Sequence, residues 1–147
     1  MRTHRPYRSL SYLLLGDRTG TAAIEFAILS PLYLMLLLGM TAYGLYFGAA
    51  HSVQQIAADA ARLAVSGIDD ADRRDIVSRF VQQNAGQYVL INPAKVNFNV
   101  SETEGGSRFL VEIRYDASGL PIWGLFEALP KPEMTISRRS TIRIGGL

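Results

Sequence analysis

The sequence predicts an α+β protein in which a long N-terminal helix and a second, short helix precede a small antiparallel sheet of three strands. Three observations predict this class. No charged residue occurs between Phe26 and Ala50. Small and apolar residues then recur at helical spacing as far as Gly67, and from Ile91 the apolar spacing changes to two, which is typical of strands.

The composition lies between those of soluble and membrane proteins. The chain has 147 residues, of which 48% are hydrophobic and 19% charged. The formal net charge of +2 is too weak to indicate a nucleic-acid partner, and we expect none. The absence of cysteine excludes a disulfide framework, a thiolate metal site and a cysteine nucleophile.

Residues 21–50 are predicted to form a transmembrane helix. The uncharged stretch would extend about 37 Å, more than the roughly 30 Å of a hydrocarbon core, so we expect a tilted helix. Pro31 should kink this helix or remove one backbone hydrogen bond. Tyr43, Tyr46 and Phe47 cluster near its far end, as in an interfacial aromatic belt.

The charges on either side of this helix predict its orientation. Four arginines precede it, opposed only by Asp17, whereas three aspartates and a single arginine follow it: Arg2, Arg5, Arg8 and Arg18, then Asp59, Asp69, Asp70 and Arg62. The positive-inside rule then predicts a cytoplasmic N-terminus. The predicted organisation is a basic leader over 1–20, the transmembrane helix over 21–50 and an extracytoplasmic α+β head over 51–147.

The long helix is predicted to continue beyond the membrane, from Thr21 to Ser66, with Gly67 as its stop. Its apolar stripe consists of Val53, Ile56, Ala57, Ala60, Ala61 and Ala64. Asp69 is predicted to cap the second helix, with Asp72 in a position similar to a capping box. This helix should end near Gly86.

Alternation predicts the three strands and the face of each that points inward. The inward sets are Val96, Phe98 and Val100; Phe109, Val111, Ile113 and Tyr115; and Met134, Ile136, Ile142 and Ile144. Glu104 to Ser107 should form the first hairpin turn. We expect the long helix to cover one face of the sheet, since three strands need such cover.

An apolar segment, Leu120 to Pro130, connects the second and third strands. It has the pattern of one helical turn that would display Trp123, Phe126 and Leu129. If exposed, these side chains would contact a partner or a membrane surface; if buried, they would cover the core. A core this small favours burial.

The segment Gly20-Thr21-Ala22-Ala23-Ile24-Glu25-Phe26-Ala27-Ile28-Leu29-Ser30-Pro31 resembles the start of the TadE-like family, pilin-like proteins of the tight-adherence (Flp) branch of type IV pili. The resemblance implies a prepilin peptidase that cuts between Gly20 and Thr21. Glu25 would then be the fifth residue and Phe26 the sixth of a mature chain of 127 residues. The alanine-rich stretch up to Gly67 and the strand patterns are also similar to the family.

The resemblance implies a minor, pseudopilin-like component, because the mature chain is too long for the small major pilin. It also implies the partners: the bacterial inner membrane, a prepilin peptidase, other pilin-like subunits and the pilus assembly machinery. The protein would be single-pass, with its head periplasmic or extracellular, and possible incorporation into the pilus stays open.

Each site residue also has a simpler interpretation. Gly20 is either the cleavage position or a glycine at a helix start. Glu25 either pairs with the amine that cleavage creates on Thr21, in its own or a neighbouring subunit, or extends to the membrane surface. Gly44 and Gly48 form a GxxxG pair for helix packing, or reflect the abundance of glycine in membrane helices.

The sequence predicts neither catalysis nor a cofactor. It contains no nucleophile elbow, no phosphate-binding glycine loop and no suitably spaced acid pair. A metal site is not expected at His51, since the other histidine, His4, lies in the leader. Arg138 and Arg139 are interpreted as a solvated strand edge.

These patterns predict a minor pilin-like structural protein that is processed after Gly20. The first alternative is an uncleaved bitopic membrane protein whose head binds an envelope partner. The second is a secreted protein cut near Ala49, although the apolar run is too long for an ordinary signal peptide.

Overall fold

The computed structural model describes residues 18–103, 108–126 and 129–143. Two helices precede three strands: α1 (Arg18–Ala64), α2 (Asp70–Asn84), β1 (Val96–Thr103), β2 (Arg108–Asp116) and β3 (Thr135–Arg143). This order confirms the predicted α+β class. The chain divides into two compact units, Met1–Leu38 and Gly39–Leu147, called here the N-terminal and C-terminal units.

In the N-terminal unit, α1 is apolar on every side, and its large side chains are exposed. The exposed apolar side chains include Ile24, Phe26, Ile28, Leu29, Leu32, Tyr33, Leu34, Met35, Leu36, Leu37 and Leu38. The helix continues through Pro31, which cannot donate to the Ala27 carbonyl. The Ser30 hydroxyl donates to that carbonyl instead, at 3.5 Å, and so supplies a partner for the group that Pro31 leaves unpaired.

In the C-terminal unit, α1 presents the predicted apolar stripe to the core. All six residues of the stripe, from Val53 to Ala64, are fully buried and join the sheet residues in one hydrophobic cluster. The helix ends at Ala64, two residues before the predicted Ser66, and a turn leads to Gly67. A Cβ atom at Gly67 would lie 2.5 Å from Cγ and 3.0 Å from the backbone nitrogen of Arg73, so this close approach requires glycine.

The predicted cap of α2 is confirmed. The Asp69 side chain accepts from the Asp72 N–H at 2.8 Å, and the Asp72 carboxylate accepts from the Ile68 N–H at 3.0 Å. The second bond reaches the residue before the cap, so the arrangement differs slightly from a capping box. The helix ends at Asn84, and a 3-10 turn over Ala85–Gln87 follows.

The sheet is antiparallel in the order β1-β2-β3. Its inward face includes Phe109, Val111, Ile113 and Tyr115, all buried as predicted. The hairpin turn predicted over 104–107, and Ile144, lie outside the described residues. The register pairs Val100 with Val111 and Tyr115 with Ile136, which brings apolar side chains of all three strands together.

Two of the inward positions are less buried than the alternation predicts. Met134 is 51% exposed because it precedes β3, and its carbonyl accepts from the Ala117 N–H at 2.8 Å. Phe98 is 36% exposed. Since β1 is an edge strand, Phe98 is covered from one side only.

The segment between β2 and β3 closes the core. It contains two 3-10 turns, Ala117–Gly119 and Trp123–Phe126. Of the three side chains in question, Phe126 is buried, and Trp123 and Leu129 are partly buried against the core, which supports burial over display.

Candidate functional site

The predicted processing and assembly residues lie at the start of α1 and are all exposed. Gly20 has no atom within 4 Å of the position a Cβ would take, and Phe26 is 71% exposed. The Gly20–Thr21 bond lies in the first turn of α1, which begins at Arg18. Because the first N–H groups of a helix lack intrahelical partners, this turn unwinds at lower cost than the helix interior. A peptidase that needs extended backbone would have to open this turn.

Glu25 lies one helical turn after Thr21, so both side chains project from the same side of α1. In the part of the chain that the structure describes, the Glu25 carboxylate forms neither an ion pair nor a side-chain hydrogen bond. The partner predicted for it, the Thr21 amine, exists only after cleavage. Its pairing therefore stays a prediction.

An open apolar groove runs along one side of α1 in the N-terminal unit. Phe26, Ser30, Tyr33, Leu34 and Leu37 line it, and the small Ser30 lies between larger side chains. The spacing of these residues, i, i+4, i+7, i+8 and i+11, is the pattern by which one helix packs on another. Sequence reasoning missed this groove, although its spacing could have indicated it.

The three glycines in the middle of α1 have different surroundings. Gly44 is exposed, with no atom near its Cβ position, whereas a Cβ at Gly48 would lie 3.4 Å from Leu90 Cδ1. Gly39, which the sequence did not single out, is buried, and a Cβ there would lie only 2.7 Å from Leu129 Cδ1. Of the predicted GxxxG pair, Gly44 alone is open to another molecule, and helix packing through this pair stays a prediction.

The aromatic cluster of α1 belongs largely to the packing of the C-terminal unit. The Tyr43 hydroxyl donates to the Pro130 carbonyl at 2.7 Å, and the ring meets Phe126 edge-on at 5.0 Å. Tyr46 is partly buried, and Phe47 is the most exposed of the three. Tyr43 thus also packs within its own chain, which the sequence did not predict, and the aromatic belt stays a prediction.

Polar contacts attach the loop before β1 to its neighbours. Tyr88 donates to the Asp59 carboxylate of α1 at 2.8 Å, and burial together with this bond raises the pKa of Tyr88 to about 12. Leu90 adopts a left-handed conformation, with φ of 64°. The Tyr115 hydroxyl donates to the Leu90 carbonyl at 3.1 Å, and this contact holds the loop in its strained form.

A buried carboxylate lies on the side of the sheet opposite α1. Glu112 accepts from Ser137 Oγ at 2.9 Å, from Arg114 Nη2 at 3.0 Å and from Arg139 Nε at 3.1 Å. The Ser137 hydroxyl, followed by Arg114, holds the pKa of Glu112 below its ordinary value. Sequence reasoning missed this cluster and treated Arg139 as simply solvated, which the ion pair with Glu112 corrects. The register of β2 with β3, which places Arg139 directly opposite Glu112, is the signal that would have found it.

The described ranges contain no group of three or more histidine, cysteine or acidic side chains placed to hold a metal ion. His51 is exposed, and its Nε2 lies 3.3 Å from Gln55 Nε2. The expectation of no metal and no cofactor stays a prediction.

The fold and the exposed helix define a class of protein. Within the described residues, one helix, Gly20–Ala64, is long and apolar enough to cross a membrane. Only 6% of the residues in its most apolar stretch of 18 are buried. This helix, with an α+β unit after it, is compatible with a single-pass membrane protein.

Residues 20–62 match the family model described as TadE-like protein, which confirms the predicted resemblance over this segment. The match suggests involvement in tight-adherence (Flp) pilus systems, whose TadE-like components are structural. The similarity predicted for the sheet and its loops lies beyond residue 62 and stays a prediction. No curated protein and no solved structure matches the chain.

Proposed function

We propose that this protein is a minor, pilin-like structural subunit of a tight-adherence (Flp) pilus. In this proposal a prepilin peptidase cuts it after Gly20, and α1 anchors it in the bacterial inner membrane. Its N-terminus is cytoplasmic, and its C-terminal unit is periplasmic or extracellular. The observation that carries the proposal is the exposed apolar helix that follows the Gly20 to Phe26 motif, within the segment that matches the TadE-like family.

Burial along α1 supports an earlier end of the membrane segment than residue 50. Gly39 and Ala42 are buried within the C-terminal unit, whereas the large side chains up to Leu38 are exposed. The stretch from Gly20 to Met40 would extend roughly 31 Å, close to the thickness of a hydrocarbon core. Glu25 then lies inside the apolar stretch, where an unpaired carboxylate is costly and a cationic partner is strongly favoured.

The N-terminal unit has the surface that helix assembly requires. Its groove accepts the side chains of a second helix, and the unpaired Glu25 lies next to Phe26 at one end of that groove. After cleavage, the amine of Thr21 in a neighbouring subunit would neutralise Glu25 and set the axial register between subunits. The work of the protein would thus be structural, in initiating, capping or building the filament.

The intact mass and N-terminal sequence of the protein, extracted from membranes of its native host, test the proposal. We expect the chain to begin at Thr21, and the variant Gly20→Leu to keep its leader because the larger side chain blocks entry to the peptidase. Gly44→Leu is the matched control and should be processed normally.

Other N-termini would contradict the proposal. A wild-type chain that begins at Met1 would favour the uncleaved bitopic protein whose head binds an envelope partner. A chain that begins near His51 would indicate a secreted protein. Normal processing of Gly20→Leu would refute Gly20 as the cleavage position.

A further inference from the structure

The side of the sheet opposite α1, called here the outer face, carries more basic than acidic side chains. Its described outward positions on β2 and β3 carry four arginines and two acids: Arg108, Arg114, Arg139, Arg143, Glu112 and Asp116. Glu112 is buried beneath its arginine partners, and the exposed Asp116, at the end of β2, pairs with Lys95 at 3.4 Å. The net charge presented to solvent is therefore positive. This local concentration of positive charge is not visible in the weak net charge of the whole chain.

One arginine pair lies in an unfavourable arrangement. The register places Arg108 of β2 directly opposite Arg143 of β3, and both side chains are exposed. Like charges directly opposite one another destabilise a sheet. Neither arginine forms an ion pair with the described residues. A local cost that no contact among the described residues offsets is expected where a surface serves binding rather than stability.

The second arginine pair is held in position. The Glu112 carboxylate binds Arg114 through Oε2 and Arg139 through Oε1, one from each of two neighbouring strands. These two arginine side chains remain 57% and 65% exposed, and each guanidinium keeps further N–H donors for a ligand. Because the side chains are already ordered, binding costs less rotamer entropy.

Neutral polar groups lie beside the arginines on the same face. Asn97 and Asn99 of β1 pair with Arg114 and Glu112 of β2, so their exposed amides project beside the Glu112 cluster. Amides donate and accept hydrogen bonds and therefore suit hydroxyl groups. No aromatic residue occupies the described outward positions, so the outer face offers no platform for nucleobase stacking.

We propose that the outer face binds an acidic polysaccharide. The two arginine pairs would hold carboxylate groups in bidentate geometry, and Asn97 and Asn99 would bind sugar hydroxyls. The pairs are separated by four residues along β3 and by six along β2. These separations are about 13 Å and about 20 Å, so a polymer can contact both pairs whereas a small anion cannot. The choice of an extracellular polymer rests on the proposed function, which puts the C-terminal unit outside the cytoplasm.

Binding of polygalacturonate to the purified full-length chain in detergent tests this proposal. We expect saturable binding that weakens as salt rises from about 50 to 300 mM, and none to neutral dextran. The double variant Arg108→Gln/Arg143→Gln should weaken binding about tenfold. Arg74→Gln/Arg79→Gln on α2 removes the same charge elsewhere and should change binding by less than about twofold.

The variant Glu112→Gln distinguishes an effect of arginine positioning on binding from an effect of charge alone. It makes the outer face more positive, so a pure charge effect would strengthen binding. If Glu112 positions Arg114 and Arg139, the same variant should weaken binding by about threefold or more, compared at a temperature where both proteins are folded.

Several outcomes would overturn the proposal. The first two are an equal loss of polygalacturonate affinity in the two double variants and tighter polygalacturonate binding by Glu112→Gln. The others are binding of the wild type to dextran and tighter binding to duplex DNA than to polygalacturonate. The N-terminal sequence of the same preparation reports separately on the proposed function. A start at Met1 with intact polysaccharide binding would refute pilin processing and leave the binding site standing.

Discussion

Glu112 illustrates how a single side chain can be buried on a face that otherwise meets solvent. Removing a carboxylate from water raises its pKa, but the bonds from Ser137, Arg114 and Arg139 outweigh that effect. The carboxylate is therefore ionised and fully paired, and the removal of its charge should leave two guanidinium groups without their partner.

This pairing predicts a specific sensitivity to acid. Since the folded-state pKa of Glu112 lies below its ordinary value of 4.5, its contribution to stability is fully present above about pH 4.5 and is lost as the pH falls through the folded-state pKa. We expect the free energy of unfolding of the wild type to fall more steeply below about pH 5 than that of Glu112→Gln. Denaturant unfolding between about pH 3 and 7 measures this difference.

Glu133→Gln is the control for this prediction, because Glu133 is exposed. It should keep the wild-type pH dependence. If Glu112→Gln also kept it, the ion cluster would contribute nothing to folding stability.

At the scale of the element, α1 meets two different requirements along its length. Up to Leu38 its large side chains are exposed on all sides, and from Gly39 small residues let the rest of the C-terminal unit pack closely. Gly39 and Gly48 face side chains of their own chain, whereas Gly44 is open. The glycines of one helix thus have separate roles.

Substitutions at these glycines should separate folding from assembly. Gly44→Ile places its side chain in open space, so the thermal midpoint of the monomer should not fall, whereas cross-linking between copies in the membrane should decrease. Gly39→Ile should instead displace Leu129 and destabilise the C-terminal unit by about 1–3 kcal/mol. Thermal unfolding and in-membrane cross-linking of both variants test this. A Gly44→Ile variant that still cross-links like the wild type would contradict assembly through Gly44.

At the scale of the whole molecule, the prediction concerns assembly. Glu25→Ala should leave membrane insertion and cleavage after Gly20 intact but reduce pilus formation, because the Thr21 amine of a neighbouring subunit would lose its partner. Immunoblotting of the processed form and electron microscopy of pili in the native host measure the two effects. Glu133→Ala removes a carboxylate from the C-terminal unit and should leave both unchanged. Normal pili in the Glu25→Ala strain would rule out a role for Glu25 in register.

Particular residues show which parts of this fold were predictable. The six inward residues of α1 from Val53 to Ala64, and the cap at Asp69, follow from local spacing, and both were confirmed. Met134 was placed wrongly because alternation does not determine where a strand begins. The packing of Gly39 and Tyr43 was missed because their partners, Leu129 and Pro130, are more than eighty residues away in the chain.

The sequence by itself determined the α+β class, the membrane-length helix and the resemblance of residues 20–62 to a family, because periodicity, apolar length and a short motif are properties of neighbouring residues. Only the tertiary structure decided that Gly48 is covered while Gly44 is open, that Glu112 is buried, and that four arginines share the outer face. Those features depend on strand register and on long-range packing. Such contacts join residues that are distant in the chain, so no local pattern encodes them.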